Sequence, residues 1–501
     1  MDSVLKTDVV VVGAGAAGLY TALNAERAGA NVTLISALPL AESASYWAQG
    51  GLAVALAADD SPAIHFDDTV KAGRGAVHEA AARVLCAEAN LVLRDLTDLG
   101  VAWDRDRFGR PALGLEGGHS VRRIVHAGGA ATGRRITRAL SAAAAAAPGL
   151  TVLEGRRVSA LLGDGKSCAG VVLDGGDRIE ARAVVLATGG AAALWSRTTN
   201  PPGTVGRGIV LAHSAGAALA DLELIQFHPT ALAAGTRQDG LLVTEAIRGE
   251  GATLTDAQGN RFTDELAPRD EVSLTVAERI LSEGSNSVFL DMRNIEPRHF
   301  PNVFASLSAA GIDATRELVP VAPAAHYLMG GIATDTSGRS TLDGLFAVGE
   351  CACTGLHGAN RLASNSLTEC FVFGRRAALA ALDRQVRPHG ALEAIPCDPA
   401  VVPSDATREA LWRHAGLVRD AAGLSLLLDD PHPLTRLIAA SALERRESRG
   451  AHRRSDFPEV DPRLDGAHSS ITLGGNAAMH RWDGDDWRSS QSAIAPTPQL
   501  S

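Results

Sequence analysis

The stretch that decides the fold is Asp8-Val-Val-Val-Val12 followed by Gly13-Ala-Gly-Ala-Ala-Gly18. The apolar run predicts a strand that is buried on both faces, as strands of parallel sheets are. In Gly13-x-Gly15-x-x-Gly18, the first glycine permits a tight turn, the second lets the backbone approach a pyrophosphate, and the third lets the next helix pack closely. Because a helix N-terminus also favours negative charge, the stretch predicts a dinucleotide-binding βαβ unit.

The choice of dinucleotide depends on residues further along the chain. The second predicted strand, Asn31–Ser36, ends on a hydroxyl where NAD-binding units carry a carboxylate for the ribose, which weakens NAD without deciding against it. Two later strand ends favour FAD, namely Ala187-Thr-Gly-Gly190 and Leu345-Phe-Ala-Val-Gly-Glu350, and the carboxylate of the second suits a ribityl hydroxyl. Asn365-Ser366-Leu367 begins a helix whose dipole would favour the negative charge of a reduced flavin. Alone, the same residues are an ordinary helix start.

Composition excludes several classes of protein. The 501 residues carry 47 basic and 57 acidic side chains, and a net charge of −10 argues against sequence-independent nucleic-acid binding. Six cysteines cannot form a disulfide framework in a chain of this length, and Cys351-x-Cys353 lacks the partner ligands of a zinc site. We therefore expect reduced thiols and no metal.

The sequence also lacks the signals of membrane insertion or export. No apolar run reaches the ~18–20 residues of a membrane span. Met1–Tyr20 is similar in composition to a signal peptide, but its glycine spacing and the charged Glu26-Arg27 fit a strand–turn–helix better. We expect a soluble, cytoplasmic protein without a targeting segment.

The distribution of strand, turn and helix patterns along the chain predicts a domain that is interrupted by an insertion. Residues 1–221 and 329–396 carry the buried strands, glycine turns and helices of a Rossmann-like α/β nucleotide-binding domain in two pieces. In the first piece, residues 79–98 show the apolar period of a helix, and Thr151-Val-Leu, Cys168–Leu173 and Ala181–Ala187 predict a small antiparallel unit and a return strand. Residues 222–328 show short strands, proline breaks and one clear helix over Asp270–Ser282, which predicts an inserted α+β domain. Residues 397–501 predict a C-terminal helical domain, preceded by a proline-rich linker and ending in about 35 poorly structured residues.

Six motifs occur in an order that identifies a family. They are Gln226-Phe-His-Pro-Thr230, Thr244-Glu-Ala-Ile-Arg-Gly-Glu-Gly251, Ala267-Pro-Arg-Asp270, His326-Tyr-Leu-Met-Gly-Gly331, His357-Gly-Ala-Asn-Arg-Leu-Ala-Ser-Asn-Ser-Leu367 and Glu447-Ser-Arg-Gly-Ala-His452. Over roughly residues 8–460 the chain resembles the succinate dehydrogenase/fumarate reductase flavoprotein family, and most closely its L-aspartate oxidase branch. The resemblance implies a two-piece FAD domain with an inserted capping domain and a C-terminal helical domain, which agrees with the predicted segments.

The resemblance also implies where the cofactor binds. The expected FAD-binding residues are Gly13, Ala14, Gly15, Ala16, Ala17, Gly18, Ser36, Ser43, Ala44, Ser45, Gln49, Gly50, Gly51, Ala187, Thr188, Gly189, Gly190, Glu350, Ser366 and Leu367. Succinate dehydrogenases attach FAD through a histidine six residues before a glycine pair. Here Ala44 stands at that place before Gly50-Gly51, so we expect FAD bound without a covalent link.

Substrate residues follow from the same motifs. The resemblance implies that His228, His326 and Arg361 hold the two carboxylates of a C4 dicarboxylate, with Thr244 lining the same cavity. The chemistry is consistent, because arginine grips a carboxylate with two parallel hydrogen bonds. Outside the matched motifs, either histidine would be read as an ordinary core residue.

The family's proton relay matches Arg248, Glu245 and Arg269, with Arg269 transferring the proton. Arginine is almost always protonated in proteins, so the role needs a relay that returns the proton. The alternative is that Arg269 only supplies positive charge to the transition state.

Two departures from the family pattern bear on the branch. Glu116 in Glu-Gly-Gly-His-Ser120 matches the acidic residue with which aspartate oxidases face the substrate amine, the alternative being an exposed loop carboxylate. Val205-Gly-Arg207-Gly stands where the family usually has an aspartate near the flavin, so one cofactor contact must differ.

The resemblance therefore implies an FAD-dependent L-aspartate oxidase that yields iminoaspartate by hydride transfer to the flavin, with oxygen or fumarate as acceptor. Its product would supply quinolinate and NAD synthesis, with quinolinate synthase as metabolic partner. The alternatives are a soluble fumarate reductase or a succinate dehydrogenase-type flavoprotein, against which Ala44 and Glu116 argue. A degenerate FAD-binding protein is disfavoured by the intact set of His228, Arg269, His326 and Arg361.

Overall fold

A computed structural model of the protein describes residues 4–40, 43–385, 390–397, 402–482 and 494. The α-helices are α1 Ala16–Arg27, α2 Pro62–Ala72, α3 Glu79–Asp98, α4 Thr132–Ala146, α5 Arg207–Ser214, α6 Glu245–Gly249, α7 Arg269–Glu283, α8 Pro301–Ala309, α9 Asn365–Asp383, α10 Asp405–His414, α11 Ala421–Leu426 and α12 Pro433–Glu444. The strands are β1 Val4–Val12, β2 Val32–Ser36, β3 Leu52–Ala53, β4 Leu113–Gly114, β5 Ile124–Val125, β6 Leu150–Glu154, β7 Val158–Gly163, β8 Cys168–Leu173, β9 Arg178–Leu186, β10 Leu219–Ala220, β11 Ile225–Leu232, β12 Thr253–Thr255, β13 Val288–Asp291, β14 Val319–Leu328, β15 Gly331–Ala333, β16 Leu345–Ala347, β17 Ala352–Cys353, β18 Glu393–Ala394, β19 Ala467–Ile471 and β20 Ala478–Arg481.

The predicted βαβ unit lies at the centre of the largest sheet. The strand order is β18-β7-β8-β9-β1-β2-β6, and β16 also pairs with β9. β1 runs parallel to β2, with Val9 opposite Val32, and parallel to β9, with Val9 opposite Ala183. The carboxyl ends of β1, β9 and β16 therefore meet at one edge of the sheet, where ligands of open α/β sheets bind.

Two helices cover one face of this sheet. α1 packs against α9, and the ring centroids of Tyr20 and Phe371 lie 5.2 Å apart in an edge-to-face arrangement. Both rings are buried together with Leu19 and Val11. Burying side chains of this size stabilises the fold by ~1.5–3 kcal/mol each. The two pieces of the predicted nucleotide-binding domain are thus joined by one core.

The segment between them forms a separate four-stranded antiparallel sheet, in the order β11-β14-β13-β12. Its own core contains Val243, Leu254, Val276 and Leu290. The predicted helix over 270–282 is α7, but the segment also holds α6 and α8, whereas the sequence indicated one clear helix. α6 has only five residues and α8 begins at a proline after a one-turn 3₁₀ segment, so neither shows a long apolar period.

Three expectations about connections are wrong. β6 was expected in a small antiparallel unit, but it pairs parallel with β2. The proline-rich linker contains β18, which pairs with β7 at the edge of the large sheet. The tail was expected to be poorly structured, yet β19 pairs with β10 and β20 pairs with β19. β6, β18 and β19 each pair with a strand far away in the sequence, so local composition carried no signal for them. β20 pairs with its neighbour β19, and most residues after 482 lie outside the described ranges.

Candidate functional site

A cavity of about 370 Å³ lies at the carboxyl edge of the large sheet, below the inserted domain. The turns after β1, β9 and β16 and the start of α9 form one end, and residues of β11, β14, α6 and α7 form the other. The cavity therefore joins a glycine-lined half to a half that carries histidine, arginine and glutamate side chains.

At each of the three glycines of the first turn, a side chain would come into close contact with neighbouring atoms. Gly13 has a φ of +107°, and a Cβ there would collide with the carbonyl of Ala187 at the end of β9. A Cβ on Gly18 would collide with the carbonyl oxygen of Gly13. Gly15 begins α1, and the Ser45 hydroxyl accepts a hydrogen bond from the Ala16 N–H at 3.1 Å. The N-terminus of α1 lies on the cavity wall, where the first turn of a helix favours an anion such as a phosphate.

Most predicted cofactor residues line the cavity. These are Gly13, Ala14, Gly15, Ala16, Ala17, Ser36, Ser43, Ala44, Ser45, Gln49, Gly50, Gly51, Ala187, Thr188, Gly189, Glu350, Ser366 and Leu367. Gly18 and Gly190 stand behind the wall, where they leave room for Gly13 and for the Glu350 carboxylate respectively. Further lining residues that the sequence did not identify are Ala37, Leu38, Pro39, Trp47, Ala48, Thr199, Asn200, Pro201, Gly203, Thr204, Leu242, Tyr327, Val348, Gly349, Ser364 and Cys370.

Several polar side-chain atoms in the glycine-lined half of the cavity are available to bind a ligand. Ser43 Oγ, Thr188 Oγ1 and Gln49 Oε1 are buried and have no hydrogen-bond partner among the described residues. Buried polar atoms are normally paired, so unpaired ones on a cavity wall indicate a polar ligand. Together with the α1 N-terminus and the close-approach glycines, they fit a dinucleotide such as FAD. Ala44 offers no nucleophile on the same wall.

Glu350 has an unusual environment. Its carboxylate accepts a hydrogen bond from the Leu328 N–H at 3.0 Å, and burial raises its pKa to about 7. Near neutral pH the group can therefore be present as an acceptor or as a donor. Either form suits the hydroxyl of a bound polyol chain.

Two neutral histidines face each other in the other half of the cavity. His228 on β11 and His326 on the neighbouring strand β14 have ring centroids 5.1 Å apart. Burial, and then the positive charge of Arg269, hold both pKa values well below the ordinary range. The Thr230 N–H donates to Nδ1 of His228 at 3.3 Å, so the neutral ring carries its proton on Nε2. His326 Nδ1 is 2.7 Å from the Thr199 hydroxyl.

Arg361 is a buried cation without a counter-ion. It is only 3% exposed, and among the described residues no carboxylate lies within 4.0 Å of it. Its Nη1 donates to the Ser366 hydroxyl at 2.7 Å, its Nε donates to Gln226 Oε1 at 3.3 Å, and its guanidinium lies 4.3 Å from the Tyr327 ring centroid. Burial and Arg269 lower its pKa to about 10, so it stays charged at neutral pH. A buried charge of this kind is costly unless an anion pairs with it.

The predicted relay residues form a continuous chain. Arg269 Nε donates to Glu245 Oε2 at 2.6 Å, and Arg248 Nη2 lies 3.5 Å from Glu245 Oε1. Burial opposes ionisation of Glu245, but the two arginines outweigh it and lower its pKa. Arg269 and Glu245 line the cavity with Thr244, whereas Arg248 lies behind them.

Gln226 connects this chain to Arg361, since its Oε1 also accepts from Arg269 Nη1 at 3.0 Å. Gln226 is the first residue of the motif Gln226-Phe-His-Pro-Thr230, but nothing in the sequence indicated that its side-chain amide contacts two arginines. It lies behind the cavity wall and fixes the spacing of the two cations.

Glu116 is a buried carboxylate on the cavity wall, so the alternative of an exposed loop residue is wrong. It is 2% exposed, and its Oε2 accepts a hydrogen bond from the Ser364 hydroxyl at 2.6 Å. Burial opposes its ionisation, but His126, Ser364 and Arg269 outweigh burial and hold its pKa at about 2. The next residue, Gly117, donates its N–H to Glu245 at 2.9 Å. One loop therefore carries Glu116 and also fixes the relay.

The position that departs from the family pattern lies outside the cavity wall. Arg207 begins α5 directly after Gly206, which has a φ of +70°. The Nε atom of Arg207 is buried, and no described residue forms a hydrogen bond with it. Thr204, three residues earlier, lines the cavity instead.

Known proteins resemble this chain along its length. Residues 8–367 match the family described as FAD binding domain, and residues 425–489 match the one described as fumarate reductase flavoprotein C-term. L-aspartate oxidases of Caulobacter vibrioides and Mycobacterium bovis are 44% and 43% identical to it, over 93% and 94% of this chain and 96% of each relative.

Solved structures resemble it as well. A quinol–fumarate reductase with menaquinol molecules matches with a TM-score of 0.87 and 28% identity, over 99% of this chain and 100% of that one. A variant of the E. coli quinol fumarate reductase FrdA matches with a TM-score of 0.85 and 28% identity, over 100% of this chain and 99% of that one. Within the described part of the chain, no helix combines the length and apolar character needed to cross a membrane.

Proposed function

Since this chain belongs to the L-aspartate oxidases, a family of FAD-dependent oxidoreductases, we propose that its cavity binds L-aspartate between Arg361 and Glu116 and oxidises it to iminoaspartate. The observation that carries the assignment is Glu116. Two carboxylates on the cavity wall have lowered pKa values, Glu116 and Glu245. Glu245 is paired with Arg269 at 2.6 Å, whereas among the described residues no arginine or lysine lies within 4.0 Å of Glu116. Aspartate differs from succinate and fumarate by an ammonium group, and a buried ammonium needs a charged acceptor.

FAD fits the glycine-lined half of the cavity. Gly13, Gly15 and the N-terminus of α1 would hold its pyrophosphate, Ser36 a ribose hydroxyl and Glu350 the ribityl chain. The start of α9 would lie at the end of the flavin that becomes negative. When bound, FAD supplies the two-electron acceptor for the hydride of the substrate's C2–H bond.

The protein's own residues orient the substrate. Arg361 has three N–H groups beyond those given to Gln226 and Ser366, which suffices for a two-point grip on one carboxylate. The neutral ring of His228 presents Nε2–H as a hydrogen-bond donor to the other carboxylate, and His326 lies beside it. Glu116 accepts from the ammonium and so fixes which face of C2 is presented to the cofactor.

The chain of Arg248, Glu245 and Arg269 supports a second use of the same cavity. Fumarate as electron acceptor needs a proton at one of its alkene carbons, and Arg269 lines the cavity with Glu245 behind it to return that proton. We assign the proton transfer to Arg269; the alternative is a purely electrostatic role. A dedicated fumarate reductase fits the site less well, because Glu116 would then face no ammonium.

The place of the reaction in metabolism follows from its product. Iminoaspartate is the substrate for quinolinate formation on the route to NAD, so quinolinate synthase is the proposed metabolic partner and the cytoplasm the proposed compartment. The test is reconstitution: the purified protein with L-aspartate, a triose phosphate and quinolinate synthase should form quinolinate. No quinolinate in the presence of measured aspartate oxidation would exclude this coupling.

Glu116→Gln tests the assignment of the substrate. The amide keeps the shape of the side chain but loses its charge, so kcat/KM for L-aspartate should fall by roughly 10²-fold, because charged hydrogen bonds contribute ~1.5–3 kcal/mol. Fumarate has no amine, so its reduction by the reduced enzyme should change by less than about threefold. Glu88→Gln, which removes a carboxylate from α3 outside the cavity, is the matched control.

Two results would contradict the assignment. Equal loss of both activities in Glu116→Gln would mean that Glu116 is structural. Unchanged kinetics with aspartate would remove the reason to prefer aspartate over succinate as the substrate.

A further inference from the structure

A histidine stands directly behind Glu116, on the side away from the cavity. His126 Nε2 lies 3.7 Å from Glu116 Oε1, and His126 does not line the cavity. Neither atom has a hydrogen-bond partner in the part of the chain that the structure describes. The side chain of Glu116 is 2% exposed and that of His126 is 14% exposed, so the imidazole lies between the carboxylate and solvent.

A glycine makes this approach possible. In the small sheet, β4 and β5 are antiparallel and Gly114 is opposite Ile124. His126 lies two residues beyond Ile124 and Glu116 two residues beyond Gly114, so the imidazole must cross position 114 to reach the carboxylate. A Cβ on residue 114 would lie 2.9 Å from the Cε1 atom of His126. Any larger residue there would displace the ring.

The other charged groups near His126 and Glu116 already interact with other residues. The Asp104 N–H donates to the His126 carbonyl, but both Asp104 carboxylate oxygens accept from backbone N–H groups, of Gly128 at 2.7 Å and of Gly129 at 2.8 Å. Arg122 lies near Glu250, with 3.4 Å between Nη1 and Oε1. Arg269 acts on Glu116 from the cavity side. The described carboxylate that faces the imidazole ring is that of Glu116.

We infer that His126 takes up, through Glu116, the proton that the substrate ammonium must lose, and releases it to solvent. An N–H bond of the ammonium breaks, an O–H bond forms on Glu116, and the proton then moves to Nε2 of His126. The ring releases a proton to solvent from its other nitrogen. The amine keeps the electron pair that forms the C=N bond as the C2 hydride leaves to the flavin. The inference rests on the proposed oxidation of aspartate.

The chemistry of Glu116 explains why a second acceptor is required. A carboxylic acid whose pKa lies near 2 cannot hold a proton at neutral pH, and its burial separates it from water. Imidazole is a better base and is in contact with solvent. His126 acts through Glu116 and does not touch the substrate, so it is a positioning residue that carries a proton.

The test compares His126→Gln with His213→Gln, a half-buried histidine of α5 that does not line the cavity. In the FAD-loaded enzyme, His126→Gln should lower kcat/KM for L-aspartate at neutral pH by about 10- to 100-fold, within the range of general acid–base effects. Fumarate reduction should change by less than about twofold, and FAD content after acid release should equal that of the wild type. His213→Gln should leave all three unchanged.

Two further measurements separate proton transfer from packing. The pH profile of kcat/KM for aspartate should differ between the wild type and His126→Gln, whereas a ring that only packs against its neighbours would leave the profile unchanged. Imidazole added to His126→Ala should restore activity with aspartate. Gly114→Ala keeps the histidine but displaces its ring, and should show the same selective loss.

The outcomes distinguish the two levels of the proposal. A wild-type enzyme that forms no iminoaspartate would overturn the proposed function and this inference with it. If the wild type oxidises aspartate, the inference alone is overturned by an unchanged pH profile in His126→Gln, by equal loss of fumarate reduction, or by failure of imidazole to restore His126→Ala.

Discussion

Replacing Arg361 with leucine removes a buried cation of the cavity that has no carboxylate within 4.0 Å among the described residues. Two N–H groups of this guanidinium are given to Gln226 and Ser366, and the remaining three are free for a substrate carboxylate. Two charge-assisted hydrogen bonds, less the hydration that the carboxylate gives up, leave ~2–4 kcal/mol. At ~1.36 kcal/mol per factor of ten, kcat/KM for L-aspartate should fall by roughly 30- to 900-fold.

The fold should tolerate this change. Gln226 Oε1 keeps its hydrogen bond from Arg269 at 3.0 Å, and the Ser366 hydroxyl lies on the cavity wall. Burial and Arg269 both disfavour the charged form of Arg361. The leucine variant therefore loses two hydrogen bonds but also avoids the free-energy cost of burying this charge. The melting temperature of the FAD-loaded protein and its FAD content should therefore stay close to those of the wild type.

The assay is steady-state oxidation of L-aspartate together with fumarate reduction, since both need the carboxylate grip. Arg361→Lys is the matched control, because it keeps the charge but cannot present two parallel N–H groups, and it should recover only part of the loss. A leucine variant with a near-normal KM and kcat/KM for aspartate would place the substrate elsewhere. A variant that loses FAD would show that Arg361 supports the cofactor site instead.

Three further predictions concern the cofactor half of the cavity. Acid precipitation should leave yellow FAD in the supernatant, because Ala44 has no nucleophile; flavin retained on the denatured chain would contradict this. Gly15→Ala should fold but bind FAD more weakly, because the φ of −75° at Gly15 suits alanine and the added methyl group blocks only the approach of the phosphate. Gly18→Ala should fail to fold, because its Cβ would collide with the carbonyl oxygen of Gly13. Circular dichroism measures the folding of both variants, and titration with FAD measures their affinity. The pKa of Glu350 is about 7 in the folded protein and about 4.5 in the unfolded chain. The free energy of unfolding of the FAD-free protein should therefore fall by up to about 3 kcal/mol as the pH rises from 4.5 to 7. Urea unfolding measures this pH dependence, which Glu350→Gln should remove.

The sequence alone predicted the strands and helices whose formation depends on residues close together in the chain. The collision that forbids a side chain at Gly18 is with the carbonyl oxygen of Gly13 in the same turn. The apolar run and the glycine spacing therefore predicted β1, α1 and a dinucleotide site, whereas the collision at Gly13 is with Ala187, far along the chain. The period of apolar residues over 79–98 predicted α3 with the bounds that the structure shows. Ordered motifs placed His228 and Arg361 in one site, because the family they resemble arranges them so.

Only the tertiary structure decided how those residues act on one another. Glu116 meets the Ser364 hydroxyl across 248 positions of sequence, and Gln226 meets Arg361 across 135. Burial then sets the charges, since it opposes ionisation of Glu116 while its neighbours restore that ionisation, and it raises the pKa of Glu350. Hydrogen bonding and desolvation depend on distances between atoms rather than on spacing along the chain, so the sequence identified the site's residues but not their protonation or their partners.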